Sequence, residues 1–340
     1  MKQNKRNPLV MKDLSSGLRR LLSAGAVFAA GIFAAAAAEP AELPCKWERL
    51  NLDGGGLIGQ IIIAPDDSAR VYCISDKGGV HRSDDGGESW KMCNNGFRRE
   101  TCYGVSDLLI DPKNPNRLYA AVGNGGWAWK HWFPGAIFRS DDGGESWKLL
   151  TRLGFSGEGS PGKGFGNRLC FAPDSTETIY AATFAQGLHR SGDAGKNWEK
   201  IGLADHFLTG VIANPDALVA SAQTLSLDPK RTGGVFVSRD GGRNWTQTME
   251  GNVTTINRAP FNADWLVATC GNGGIRFSRD GGKNWEEIPL PCGPWARVAK
   301  FQPGYPSRLW AAIAGEGAKL FYTDDFGKTW ILVAIGRNEG

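Results

Sequence analysis

The sequence predicts an all-β chain: a single β-propeller of six four-stranded blades, with seven as the alternative count. Three observations predict it. One octapeptide recurs six times at intervals of about a blade's length. Short apolar runs flank every copy, as strands flank a turn. A proline-ended apolar run stands at a matching place upstream of each copy.

The octapeptide comes first because it sets the period. SDDGGESW occurs twice, letter for letter, at Ser83–Trp90 and Ser140–Trp147. Looser copies are SGDAGKNW (Ser191–Trp198), SRDGGRNW (Ser238–Trp245), SRDGGKNW (Ser278–Trp285) and TDDFGKTW (Thr323–Trp330). Their tryptophans lie 57, 51, 47, 40 and 45 residues apart. Six copies of one acidic motif are not six active sites; they are a recurring turn. Glycine supplies positive φ there, and Ser and Asp side chains bond amides within the turn. The Trp is expected to pack between neighbouring sheets. Ala194 and Phe326 stand where the other copies have Gly, and Thr323 replaces Ser.

The strands follow from the flanks. GGVHR, GAIFR, QGLHR, GGVFV, GGIRF and AKLFY precede the copies. Upstream, IIIAP, LLIDP, LCFAP, VIANP, INRAP and AKFQP end at Pro65, Pro112, Pro173, Pro215, Pro260 and Pro303. A second run such as VYCIS or RLYAAVG follows each proline. Each unit therefore reads strand A, turn, strand B, loop, strand C, octapeptide, strand D, which is one propeller blade. The A runs are largely apolar, as inner strands should be. KWERL (Lys46–Leu50) resembles a further strand D with its own Trp47. It is expected either to close the ring beside the C-terminus or to be a relic of a seventh blade.

The N-terminus is read as a targeting segment over residues 1–38, leaving the propeller as 39–340. Lys2, Lys5, Arg6, Lys12, Arg19 and Arg20 precede an apolar run, LLSAGAVFAAGIFAAAAA, with small residues before Glu39. That pattern suits a cleaved signal peptide and a secreted or periplasmic protein; an uncleaved anchor is the alternative. Cleavage leaves 302 of 340 residues and no transmembrane span. It removes six of 39 Lys and Arg and one of 35 Asp and Glu, so the mature net charge is about −1. The basic character belongs to the leader, which argues against a nucleic-acid partner. Of seven cysteines, Cys93 with Cys102 and Cys270 with Cys292 are candidate pairs, while Cys73 and Cys170 read as buried thiols. No C-x-x-C occurs and the four histidines are scattered, so neither a metal nor a cofactor is expected.

Chemistry is expected away from the octapeptides. They share one face with the A–B turns; the D–A and B–C loops lie on the other. There GNGGWAWKHWFPG carries Trp127, Trp129 and Trp132, flat apolar faces that suit sugar rings. Folding inward as a local core is the alternative for these rings. Polar residues at the starts of A strands are candidate ligand contacts: Gln60, Asp107, Asn167, Arg168, Thr209, Thr254 and Arg297.

The S/T-x-D-x-G-x-x-W pattern resembles the Asp box, or BNR repeat, of sialidases, xyloglucanases, sortilin-type receptors and photosystem II assembly-factor propellers. The resemblance implies a propeller whose ligand face is opposite the Asp boxes. GGGLIGQIIIAPDD with VYCISDKGGVHRS is similar to the first blade of the xyloglucanase family. That likeness implies a general base at Asp76, with Ser75, Gly78, Gly79 and Arg82 completing the segment. An inverting glycosidase needs two carboxyls; in that family a second propeller supplies the second, and Asp107 is the local substitute by position. Arg168 and Arg297 are candidate substrate contacts alongside Trp127, Trp129 and Trp132. A sialidase is disfavoured, because no F/Y-R-I-P motif or Tyr–Glu pair is present. Two functions follow: an exported propeller that binds glycans, with their hydrolysis as an extension, or a non-catalytic propeller that binds protein.

Overall fold

The computed structural model describes residues 9–12, 46–49, 52, 58–75, 78–97, 104–123, 135–155, 167–184, 186–224, 232–271, 274–293, 295–314 and 319–335. The chain divides into two compact units, residues 1–53 and residues 54–340. In the first, β1 (Leu9–Lys12) pairs antiparallel with β2 (Lys46–Arg49), Met11 opposite Trp47. The KWERL strand thus forms, but its partner is β1 and it joins no blade sheet among the described residues.

The second unit is six antiparallel four-stranded blades, and the described residues contain no helix. Blade one holds β3 (Ile58–Ile63), β4 (Val71–Ser75), β5 (Gly79–Ser83) and β6 (Lys91–Met92). Blade two holds β7 (Val105–Ile110), β8 (Leu118–Val122), β9 (Ala136–Ser140) and β10 (Lys148–Thr151). Blade three holds β11 (Leu169–Ala172), β12 (Ser175–Ala182), β13 (Leu188–Ser191) and β14 (Glu199–Gly202). Blade four holds β15 (Phe207–Ala213), β16 (Leu218–Gln223), β17 (Gly234–Ser238) and β18 (Thr246–Glu250). Blade five holds β19 (Val253–Ala259), β20 (Asn262–Cys270), β21 (Gly274–Ser278) and β22 (Glu286–Ile288). Blade six holds β23 (Ala296–Phe301), β24 (Leu309–Ile313), β25 (Lys319–Thr323) and β26 (Ile331–Ile335). The predicted order A-B-C-D holds in every blade, and the count is six.

The octapeptide is the same turn each time. Ser140 Oγ donates to Asp142 Oδ1 at 2.7 Å and accepts the Gly144 amide at 2.8 Å. Asp142 in turn accepts the Ser146 amide at 2.9 Å. Ser191, Ser238, Ser278 and Thr323 repeat the pattern. Hydrogen bonds from the Asn197 backbone and side chain hold Asp193 down at about 2. These carboxylates stay ionised because the turn's own donors saturate them, so they are turn structure and not spare acids. Ala194 and Phe326 adopt φ of 57°, the left-handed conformation that their glycine counterparts reach without strain.

Each joint between consecutive blades has its own apolar core: one with two, two with three, three with four, four with five, and five with six. The octapeptide tryptophans knit these joints. Trp147 donates to Cys93 O at 2.9 Å, and Trp330 to Pro289 O at 2.8 Å, each in the preceding blade. Among the described residues no core cluster joins blade six to blade one. There Ile61 and Ile63 are 39% and 60% exposed, and Leu332 of β26 is 46% exposed. The expectation that every inner strand is buried therefore fails for blade one. The candidate disulfides also fail where they can be seen. Cys270 and Cys292 are both free thiols, as is Cys93; Cys102 lies outside the described residues.

Candidate functional site

The inner strands are aligned by their prolines, and the residues five before each proline form one level: Gln60, Asp107, Arg168, Gly210, Thr255 and Val298. Neighbouring blades meet at this level. Asp107 is 3% exposed. Its Oδ1 accepts its neighbour Leu108's amide at 2.9 Å, and its Oδ2 accepts the Leu169 amide of blade three at 2.8 Å. The Gln60 side chain, from blade one, also hydrogen-bonds it. One carboxylate therefore links three blades. Burial pushes the Asp107 carboxyl up to about 6, while the bonds from Leu169, Gln60 and Leu108 and the charge of Arg168 oppose the rise.

Arg168 is 1% exposed and its Nη1 donates to Leu208 O of blade four at 2.5 Å. Burial pulls its guanidinium down to about 10, with Asp107 working against the fall. Thr209 Oγ1 donates to Val253 O at 3.0 Å and Asn257 Nδ2 donates to Ala299 O at 3.0 Å. The polar starts of the A strands thus act, for the most part, as ties between blades. A buried donor or acceptor in a sheet protein needs such a partner, and the next blade's inner strand is the nearest one.

One level up, the strands bulge. Register shifts fall between Ile58 and Gln60, Val105 and Asp107, Leu208 and Gly210, Val253 and Thr255, and Ala296 and Val298. The extra residues are Gly59, Ser106, Thr209, Thr254 and Arg297. Thr254 and Arg297 line one cavity of about 250 Å³ with Gly271, Trp295 and Ala296. It opens where the D–A and B–C connections of blades five and six meet, opposite the octapeptides. Trp295 is 55% exposed. Its backbone is fixed by the Ala314 amide, which donates to Trp295 O at 2.9 Å. Thr254 Oγ1 donates to Thr269 O at 3.1 Å.

The predicted site residues separate. Arg297 lies at this cavity, with Trp295 and Thr254 beside it. Asp107 and Arg168 are in the protein interior. Asp76, Trp127, Trp129 and Trp132 lie outside the described residues. Lys300 was not anticipated. It is exposed to water, yet surrounding protein lowers its ammonium, and the charge of Asp107 acts in the opposite direction. The signal for it was a charge interrupting the apolar run AKF. Among the described residues no three His, Cys, Asp or Glu side chains form a metal-sized group.

A family model described as the BNR/Asp-box repeat matches residues 138–149, across the second SDDGGESW. The repeat is the Asp box. A second model, Sortilin-Vps10 (Sortilin, neurotensin receptor 3), matches residues 233–338. A xyloglucanase of Acetivibrio thermocellus is 33% identical over 200 residues, 56% of this chain and 23% of that protein. The chain spans about a quarter of the length of the curated relatives it matches. Among solved structures, the GH74 enzyme of Niastella koreensis superposes with a TM-score of 0.68 at 20% identity, covering 83% of this chain and 46% of that one. YCF48 from Cyanidioschyzon merolae superposes with a TM-score of 0.59 at 17% identity, covering 84% and 88%. This Asp-box propeller is therefore glycoside-hydrolase-like in sequence over half its length. No helix among the described residues is long and apolar enough to cross a membrane.

Proposed function

We propose that the chain is an exported glycan-binding Asp-box propeller, with residues 1–38 its signal peptide. The observation that carries this reading is the cavity at the mouth of blades five and six. An exposed indole beside an exposed guanidinium and a hydroxyl is the combination that holds a sugar: an apolar face to stack on and polar groups at its edge. The xyloglucanase relatives support a polysaccharide as the ligand. Trp127, Trp129 and Trp132, outside the described residues, are further sugar contacts in this proposal on sequence grounds alone. Hydrolysis would use Asp76 as base and needs a second carboxyl within about 6.5–9.5 Å. Asp107 would serve only if its amide bonds opened, so binding is the stronger part of the proposal.

Incubating the protein with xyloglucan and β-glucan tests both parts. Retention on the polysaccharide that Trp295→Ala weakens supports binding; new reducing ends abolished by Asp76→Asn support hydrolysis. Absence of retention on every glycan sinks the proposal. The second reading, a protein-binding propeller, draws on the YCF48 match, which runs most of the length of both chains. A YCF48 has also been solved with a D1 peptide bound.

A further inference from the structure

We infer that the cavity between blades five and six takes a sugar ring that carries a carboxylate. The inference rests on the glycan-binding reading and narrows it. Arg297 is the residue left over between the pairs Ala296↔Ile313 and Val298↔Ala312. A bulge of this kind turns a side chain out of the regular alternation. At the same position, six residues before the proline, the other inner strands carry Gly59, Ser106, Asn167, Thr209 and Thr254. Arg297 is the only charged residue of the set.

Among the described residues the charge has no ion-pair partner. The ion pairs of blades five and six run Arg276–Glu287, Arg279–Glu286 and Arg308–Asp324. Among the described residues none includes Arg297. Among the described residues lining the cavity, Arg297 is charged and no carboxylate stands beside it.

Trp295 decides between ligands. A free inorganic anion would use Arg297 and leave the indole idle. A neutral sugar would stack on the indole and hydrogen-bond the guanidinium, but leave its charge unmatched. A pyranose with a carboxylate uses both, stacking on Trp295 while the planar guanidinium takes two carboxylate oxygens side by side. The cavity of about 250 Å³ has room for one such ring. A uronic acid and a sialic acid share this chemistry.

The test is calorimetric titration of the full chain at low salt with tetragalacturonate, sialyl-lactose, lactose and a neutral xyloglucan oligosaccharide. At least one acidic sugar is expected to bind about tenfold tighter than the neutral ones, as a charge-assisted pair would give. Which acid shows the advantage separates the uronate from the sialic source. Arg297→Gln is expected to bring the acidic sugar down to the affinity of the neutral ones. Trp295→Ala should weaken both, and both variants should melt with the wild type because the two side chains are exposed. Equal affinity for acidic and neutral sugars overturns the inference while leaving glycan binding intact. So does an advantage that survives Arg297→Gln. No binding of any sugar removes this inference and the parent reading together.

Discussion

The two identical copies of SDDGGESW fold into the same turn and meet different neighbours. In blade two, Trp147 is 4% exposed, stacks at 5.0 Å on Phe97 and donates to Cys93 O across the joint. In blade one, Trp90 is half-buried and donates to Gly87 O of its own turn at 3.0 Å. The sheets behind them differ likewise. Leu108, Phe138 and Leu149 of blade two pack against blade one. Their counterparts in blade one are Ile61, His81 and Met92. Ile61 and Met92 are 39% and 60% exposed. Both ring nitrogens of His81 are buried without a hydrogen-bond partner. Eight identical letters thus determine a turn, whereas the energy of its tryptophan comes from the blade in front.

The sharpest way to break this comparison is to remove both rings. Trp147→Ala should cost about 3–5 kcal/mol of stability, the usual range for a buried aromatic. Trp90→Ala should cost less than half as much. Denaturant titration of the two variants decides, and equal losses would mean that blade one's octapeptide has an equivalent neighbour.

The next test concerns the polar tie across the same joint. Asp107 has its folded value raised to about 6 from an ordinary 3.8, so the native state holds the proton more tightly than the unfolded chain. Its contribution is complete below about pH 4 and is lost as pH rises through 6, a change of roughly 2–3 kcal/mol. Asp107→Asn should flatten the stability profile between these limits. A profile as steep as that of the wild type would assign the slope to another group.

A smaller effect checks the half of the comparison that should be equal. Ser83→Ala and Ser140→Ala each remove one hydroxyl that donates to an Asp and accepts a glycine amide. Each should cost about 1 kcal/mol. Clearly unequal losses would show that the turn itself depends on the neighbouring blade. Smallest of all, Ala194→Gly should stabilise the protein by about 0.5–1 kcal/mol, because φ at that position is 57°. A lowered melting temperature would show that the methyl group's packing outweighs its strain.

Much of the fold was legible because its signals are local. The octapeptide names its own hydrogen bonds, and the prolines mark the end of each A strand. Strand order then follows from short connections. The site was less legible because its residues are sorted by depth. Asp107, Arg168 and Arg297 all look like polar starts of inner strands. Asp107 and Arg168 sit one step inside the bulge level, where each reaches a backbone group of the next blade. Arg297 sits on the bulge and reaches water. The alignment on Pro112, Pro173 and Pro303 contains that single-residue offset, but a bulge leaves no composition signature of its own. The count of blades was legible from the octapeptides; the exposure of Ile61 and Ile63 was not, since both read as ordinary core residues.

Among the described residues five shared apolar cores join the six blades, and none spans blades six and one. Thermodynamically such an object is closer to a line of coupled units than to a hoop, each unit held by its neighbours on one or both sides. Among the described residues the middle blades share a core on both sides, and the first and last on one. Opening should then start at the two ends and travel inward like a zip. Deuterium would enter the amides of β4 and β25 long before those of β16, although all three strands are central in their sheets.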